Sequence, residues 1–312
     1  MDPQSTLSHF TPECVALFLR GTPPPPLGAR LDLTAPRSSV ARLERRSAPV
    51  MSWNFFTRIT RELRRAGVED LVLSHLGDSY ACAWLLDALL FAKHFCGFPH
   101  VVLRVDALSV TSERLAAAVR SDIDALVFNF DLSSQEWAAA ARLRLQDDKS
   151  FFVRKLHRAK EVRAQALASS QHRCLIFVAK IGAASPADSA VDAAMARMAM
   201  QADHQFSAWV HDAEDIVGAN PAPVMRVEEV DPRLRLCACW MPFNEAHIAS
   251  DGHLAACRYD VDGRSYMADL NRTPFLEAWH SPTFQTLRTA LIAGHVAGTS
   301  CAGCPWKSGN AN

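Results

Sequence analysis

An α/β fold, a partial (β/α)6 TIM-like barrel followed by a small cysteine-rich module, is the architecture this sequence predicts. Three observations point to it. Six short apolar, β-rich runs are separated mostly by long helical stretches. The chain is long enough for one large domain and a small one. Five of the nine cysteines crowd into the last 76 residues.

The strand candidates are Arg30–Thr34, Asp70–Ser74, Val101–Val105, Ala125–Phe130, Cys174–Ala179 and Phe206–His211. Between the first two, Ser52 is placed to cap a helix. Phe55, Phe56, Ile59 and Leu63 share one face of it, and Gly67 lies just past its end. Further helices are expected over Trp84–Cys96, from Thr111 with Glu113 in its first turn, over Lys149–Leu167 and over Val191–Ala202. Strands alternating with helices pair in parallel through crossovers. Six units fall short of the eight that close a full barrel, so an open barrel fits.

The expected domains are an N-terminal segment at 1–29, the barrel at 30–218, a linker at 219–235 and the cysteine module at 236–312. Pro23 to Pro26 read as a stiff spacer ending the first segment. Pro221, Pro223 and Pro232 mark the linker.

Lys+Arg and Asp+Glu both number 33, so no global field draws the chain to nucleic acid or an acidic membrane. The opening MDPQSTLSHF has no basic stretch followed by an apolar one, and no apolar run approaches membrane-spanning length. The expected location is the cytoplasm. In a reducing compartment clustered cysteines point to metal rather than to a disulfide framework. Cys14, Cys82, Cys96 and Cys174 sit singly among apolar neighbours and read as small buried hydrophobes.

The other five carry the chemistry. Seventeen residues separate Cys239 from Cys257, and Asp251-Gly252 lies between His247-Ile248 and His253-Leu254, a strong hairpin signal. Such a hairpin brings Cys239 and Cys257 to its open end. Helices through Phe275–Trp279 and Phe284–Ile292 return the chain to Cys301-Ala302-Gly303-Cys304, where two thiolates can converge on one centre. Spacing alone admits structural zinc as readily as an iron–sulfur cluster, since both accept four thiolates.

Several runs of residues carry a resemblance. They are Cys239-Trp240-x-x-Phe243; His247-Ile248-x-x-Asp251-Gly252-x-Leu254-x-x-Cys257; Ala268-Asp269-Leu270-Asn271; Phe275-Leu276-Glu277-Ala278-Trp279-x-Ser281-Pro282-x-Phe284-Gln285-x-Leu287-Arg288; and Cys301-x-x-Cys304. Together they closely resemble the SPASM, or twitch, extension of radical S-adenosylmethionine proteins, which binds an auxiliary four-iron four-sulfur cluster. The resemblance implies one such cluster, ligated by Cys239, Cys257, Cys301 and Cys304. Cys237 has no clear counterpart and stands as a spare or substitute ligand. Full extensions carry more cysteines for a second cluster; with eight residues after Cys304, one is expected here.

The barrel resembles the same family with its chemistry removed. Arg30-Leu31-Asp32-Leu33-Thr34 resembles the family's first strand, after which a CxxxCxxC loop holds the catalytic cluster. Here residues 35–46 contain no cysteine, and none lies between Cys14 and Cys82. Ser74 to Ser79 stand where the family has Gly-Glu-Pro, Val105-Asp106-Ala107 where it has Thr-Asn-Gly, and Asn129-Phe130-Asp131 at a strand end that is usually serine-containing. Gly77 survives and Asp78 is a shortened version of the Glu, but the usual contacts to S-adenosylmethionine decay together, and no catalytic residue is assigned. Arg37, Arg42, Arg45, Arg46, Arg58, Arg61, Arg64 and Arg65 form a basic stretch, read as a solvated face ahead of a docking surface for an acidic partner.

The function expected is an iron–sulfur protein on a degenerate radical barrel, a partner or accessory in a biosynthetic or maturation pathway. Its partners would be a full-length radical enzyme, or a peptide or small-molecule substrate, and not nucleic acid or membrane. Two alternatives stand beside it: an active enzyme that binds S-adenosylmethionine by other residues, and a zinc-binding interaction protein.

Overall fold

In a computed structural model of the chain, the residues described are 23–34, 50–73, 79–131, 135–170, 174–181, 189–208, 241–257, 260, 265–299 and 301–302. Local signals set the first unit. The Ser52 hydroxyl accepts from the Phe55 N–H at 3.2 Å and starts helix α1 (Trp53–Arg65), which turns Phe55, Phe56, Ile59, Thr60 and Leu63 to the core. At its end Gly67 takes φ +97°, and the N–H groups of Gly67 and Val68 return to the carbonyls of Arg64 and Leu63. That is a Schellman stop, which glycine makes without strain.

Four more helices follow the expected pattern. They are α2 (Leu85–Leu90), α3 (Ser112–Val119, capped by Thr111), α5 (Phe151–Ser170) and α6 (Ser189–Ala199). The helix expected over Trp84–Cys96 is not uniform. From Phe91 to Phe95 it widens into a π turn, marked by a 2.8 Å bond from the Cys96 N–H to the Phe91 carbonyl, with the two phenyl rings stacked 4.8 Å apart. Helix α4 (Gln135–Asp147) was not expected. Its run of four alanines, 138–141, favours helix without leaving an apolar stripe to read.

Six strands match the six expected runs, with shifted ends: β1 (Gly28–Leu31), β2 (Asp70–Leu73), β3 (His100–Asp106), β4 (Ala125–Asp131), β5 (Leu175–Ile181) and β6 (His204–Ala208). All pair in parallel, in the order β6-β5-β4-β3-β2-β1. This is the expected α/β partial barrel. Side chains alternate between its faces. Ala29, Leu31, Leu71, Leu73, Leu103, Val105, Leu126 and Phe128 join the core beneath the helices, whereas Val72, Val102, Ala125, Val127 and Ala179 form a separate apolar cluster on the other face. Burial on both faces explains why these strands read as unbroken apolar runs.

The sheet does not stop at β1. Strand β7 (Glu245–Ile248) pairs with it in parallel, and the antiparallel strands β8 (His253–Ala255) and β9 (Tyr266–Asp269) extend it to nine strands. The polyproline run is not a free spacer. Its Pro24 carbonyl accepts from Trp279 Nε1 at 2.9 Å, and the Pro23 carbonyl lies 2.9 Å from His280 Nε2. Proline has no N–H, so its carbonyls are what it offers a neighbour. Among the described residues no helix is long and apolar enough to cross a membrane.

Candidate metal centre

The C-terminal module is built around the expected hairpin. A short helix, α7 (Met241–Asn244), leads into β7, and Gly252 at φ +88° lets the chain turn into β8. The Gly252 N–H donates to the Ala249 carbonyl and the Ala249 N–H to the His253 carbonyl, both at 2.9 Å. The Ala268-Asp269-Leu270-Asn271 motif then locks this turn from the far side. Leu270 N–H donates to the Gly252 carbonyl at 2.9 Å, and Asn271 Nδ2 donates to the Asp251 carbonyl at 2.8 Å and to Asp269 Oδ1 at 2.9 Å.

Cys257 lies two residues past the end of β8. Its neighbour Ala256 donates to the Ser265 carbonyl at 3.1 Å, and Asp260 N–H donates to the Cys257 carbonyl at 3.2 Å. Helices α8 (Phe275–Trp279) and α9 (Pro282–Ile292) come next. Helix α9 ends in a second Schellman stop: the N–H groups of Gly294 and His295 reach the carbonyls of Leu291 and Ala290, with Gly294 at φ +70°. The chain then reaches Cys301, whose N–H donates to Thr299 Oγ1 at 3.2 Å and whose side chain, half-buried, packs on the main core.

Of the four expected ligands, Cys257 and Cys301 are therefore placed, each partly accessible at a turn. Cys239, Cys304 and the spare Cys237 lie outside the described residues, as does Cys14. Among the described residues, no three side chains of His, Cys, Asp or Glu converge as a metal set. The other described cysteines differ in kind. Burial pushes the Cys82 thiol up to about 11 and the Cys174 thiol up to about 12, and raises Cys96 as well. Thiols held protonated in this way are poor ligands and fit the expected role of small hydrophobes.

The module's interior fits an anionic centre in one further respect. Arg288 is 2% exposed, with Nε on the Pro242 carbonyl at 2.9 Å and Nη1 on the Trp279 carbonyl at 2.6 Å. Its Nη2 is buried and has no hydrogen-bond partner among the described residues. Desolvation alone pushes the guanidinium down to about 9.

On the barrel, residues 35–46 and Ser74–Asp78 lie outside the described residues. The other resembling positions are tied into the chain's own bonds. Asp106 Oδ1 accepts from Trp137 Nε1 at 2.9 Å and from Leu108 N–H at 2.7 Å, and Asn129 Oδ1 accepts from Arg104 Nη2 at 3.0 Å. Lys155 Nζ donates to the carbonyls of Ala107 and Leu108 at the end of β3. Arg104 and Lys155 escaped the sequence reading. A charge inside the apolar run Val101–Val105 was the available signal for the first; nothing local marked the second.

Between barrel and module, His247 Nε2 stands 3.3 Å from Asp32 Oδ2 with both side chains buried, and Arg30 pairs with Glu245. Of the basic stretch, Arg58 binds Glu62 and the Leu270 carbonyl, Arg61 lies over the Phe91 and Phe95 rings, and Arg64 donates to the Gly97 carbonyl. These arginines thus pack along the protein's own surface, and Arg65 is exposed.

An open six-unit α/β barrel continued by a cysteine-bearing three-stranded extension is the class these features define. Residues 237–305 match SPASM, an iron–sulfur cluster-binding domain. Solved structures of low sequence identity share the fold. The structure of BtrN in complex with AdoMet and 2-DOIA covers 86% of this chain and 88% of its own at 13% identity and TM-score 0.51. SuiB of Streptococcus suis bound to the precursor peptide SuiA covers 89% of this chain and 70% of its own at 11% identity and TM-score 0.60. The structure of anSMEcpe with bound AdoMet and Cp18Cys peptide covers 86% and 84% at 9% identity and TM-score 0.52. A sequence search of characterised proteins finds no match.

Proposed function

We propose that this chain is an iron–sulfur SPASM-domain protein whose radical-type barrel no longer starts radical chemistry, and that it acts as a partner or accessory in the maturation of a peptide or small molecule. The observation that carries the reading is the SPASM match over residues 237–305 in a chain with no cysteine between Cys14 and Cys82. Cys239, Cys257, Cys301 and Cys304 would hold one four-iron four-sulfur cluster. Such a cluster supplies a one-electron couple and cross-links the segments that ligate it.

The chain's own residues support this role. The turn at Gly252 and the amide of Asn271 fix the hairpin that leads into Cys257, and the Gly294 stop aims the chain at Cys301. A centre with four protein thiolates offers no open coordination position, so it is suited to electron relay, to bracing the module or to presenting a surface. On the barrel, Asp106 and Asn129 are held by Trp137 and Arg104. The peptide-bound SuiB and the AdoMet- and 2-DOIA-bound BtrN are the reason to place the substrate among peptides and small molecules.

Anaerobic purification followed by iron, sulfide and zinc analysis tests the reading. Iron and sulfide in the ratio of one four-iron cluster per chain are expected, lost in Cys301→Ala and Cys304→Ala and retained in Cys82→Ala and Cys174→Ala. Stoichiometric zinc without sulfide would reject the assignment. Reduced, cluster-loaded protein given S-adenosylmethionine should release no 5′-deoxyadenosine above background; turnover there would restore the enzyme alternative.

A further inference from the structure

Arg288 is the one buried cation of the module whose surroundings, among the described residues, leave its charge uncompensated. It lies 2% exposed in the corner of an edge-to-face ring pair, with its guanidinium carbon 4.1 Å from the Trp279 centroid and 3.8 Å from that of Phe284. Two carbonyls take Nε and Nη1, while Nη2 stays buried without an acceptor among the described residues. No carboxylate among the described residues pairs with it; its pKa is lowered by burial and raised by no anion. Ring faces and neutral carbonyls recover part of the desolvation of a guanidinium. A buried charge nevertheless calls for a counter-charge, and leaving one out is strongly destabilising.

The position of Arg288 in the chain shows where such an anion would sit. The Pro242 carbonyl it binds is three residues past Cys239, a stretch that spans at most about 11 Å. The helix that carries it, α9, runs through the Gly294 stop to Cys301, nine residues past Ile292. One guanidinium thus ties the start of the hairpin arm to the helix that delivers the CxxC pair. A cluster bearing four thiolates is a net anion in every redox state it uses.

We propose that Arg288 is a positioning residue and the buried counter-charge for the cluster of this module. This rests on the iron–sulfur reading above. A fixed positive charge stabilises the more negative, reduced cluster more than the oxidised one, so Arg288 raises the reduction potential and retains the cluster.

The test compares anaerobically prepared, cluster-loaded wild-type protein with R288K, R288Q and R288M in redox titrations followed by electron paramagnetic resonance. R288K keeps the charge. R288Q keeps a polar group for the two carbonyls, and R288M keeps much of the length and the apolar packing against the two rings. The expected result is a midpoint near wild type for R288K and a more negative one for both neutral variants, with several-fold faster loss of iron to a chelator. Neutral variants that titrate at the wild-type midpoint overturn the proposal, whatever their stability. If neither neutral variant folds, the role is structural and the proposal also fails. Wild-type protein without iron and sulfide is a separate outcome: it defeats the iron–sulfur reading, and the role of Arg288 with it.

Discussion

At the scale of single residues, burial decides which polar groups can do chemistry. Lys155 shows the effect on the barrel. It is 7% exposed, and desolvation outweighs the nearby Asp106 carboxylate to bring its ammonium down to about 8 from the ordinary 10.5. Below pH 8 folded and unfolded chains both hold this proton. Between about 8 and 10.5 only the unfolded chain does, so the stability that this lysine contributes rises with pH across that window. Urea unfolding at a series of pH values should show the rise in wild-type protein and a flatter profile in Lys155→Met. Equal slopes would mean that the two carbonyls of Ala107 and Leu108 hold Lys155 charged as firmly as water does. No sequence pattern announced this residue, because its partners lie 47 and 48 positions away.

Among the elements, the hairpin of the module is the one whose geometry depends on one position. Gly252 has φ +88°, and a Cβ built there would meet the Asn271 side chain at 2.5 Å. Gly252→Ala combines a left-handed backbone, worth about 1–2 kcal/mol against a side chain, with displacement of the amide that closes the turn. The expected outcome is a loss of about 2–4 kcal/mol in the module, with reduced iron retention, because Cys257 lies two residues past β8. Parallel measurement of Gly67→Ala checks the cause: it shares the positive φ, at +97°, but has nothing within 4 Å, so it should show the backbone effect alone. Equal losses in both would remove Asn271 from the explanation. The turn was legible from Asp251-Gly252 between apolar runs, as were the Ser52 cap and the helix start at Thr111, since each is a contact over at most a few residues. The reason for the Ala268-Asp269-Leu270-Asn271 motif was not, for Asn271 reaches back 20 positions to Asp251.

Across the whole molecule, barrel and module share one sheet and one clamp. Glu62 on α1 accepts from the Phe275 N–H at 2.8 Å, taking an open donor at the start of α8, while Arg58 beside it donates to the Leu270 carbonyl at 2.5 Å. Glu62→Ala leaves that donor without its acceptor, which costs about 1–2 kcal/mol. Hydrogen exchange should then speed up over residues 265–299 and stay unchanged over β3 to β5. Faster exchange throughout, or none anywhere, would show that the clamp does not couple the two parts. The basic stretch that contains Arg58 reads in sequence as a solvated face; its partner at Leu270 lies 212 residues away, and no local pattern could have named it.

The division between what the sequence determined and what only the tertiary structure decided follows from range. Apolar periodicity, capping residues and turn dipeptides act within one element or one hairpin, and they were enough for the six-unit barrel and the module's hairpin and helices, while the ligand set Cys239, Cys257, Cys301 and Cys304 rests on the family resemblance. The seam of β1 with β7, the buried Asp32–His247 contact, the Trp279 bond to Pro24 across 255 residues and the Arg288 bond to the Pro242 carbonyl depend on which distant segments meet. Those meetings are chosen by burial of the whole core, where each side chain's energy depends on neighbours that its own stretch of sequence does not contain.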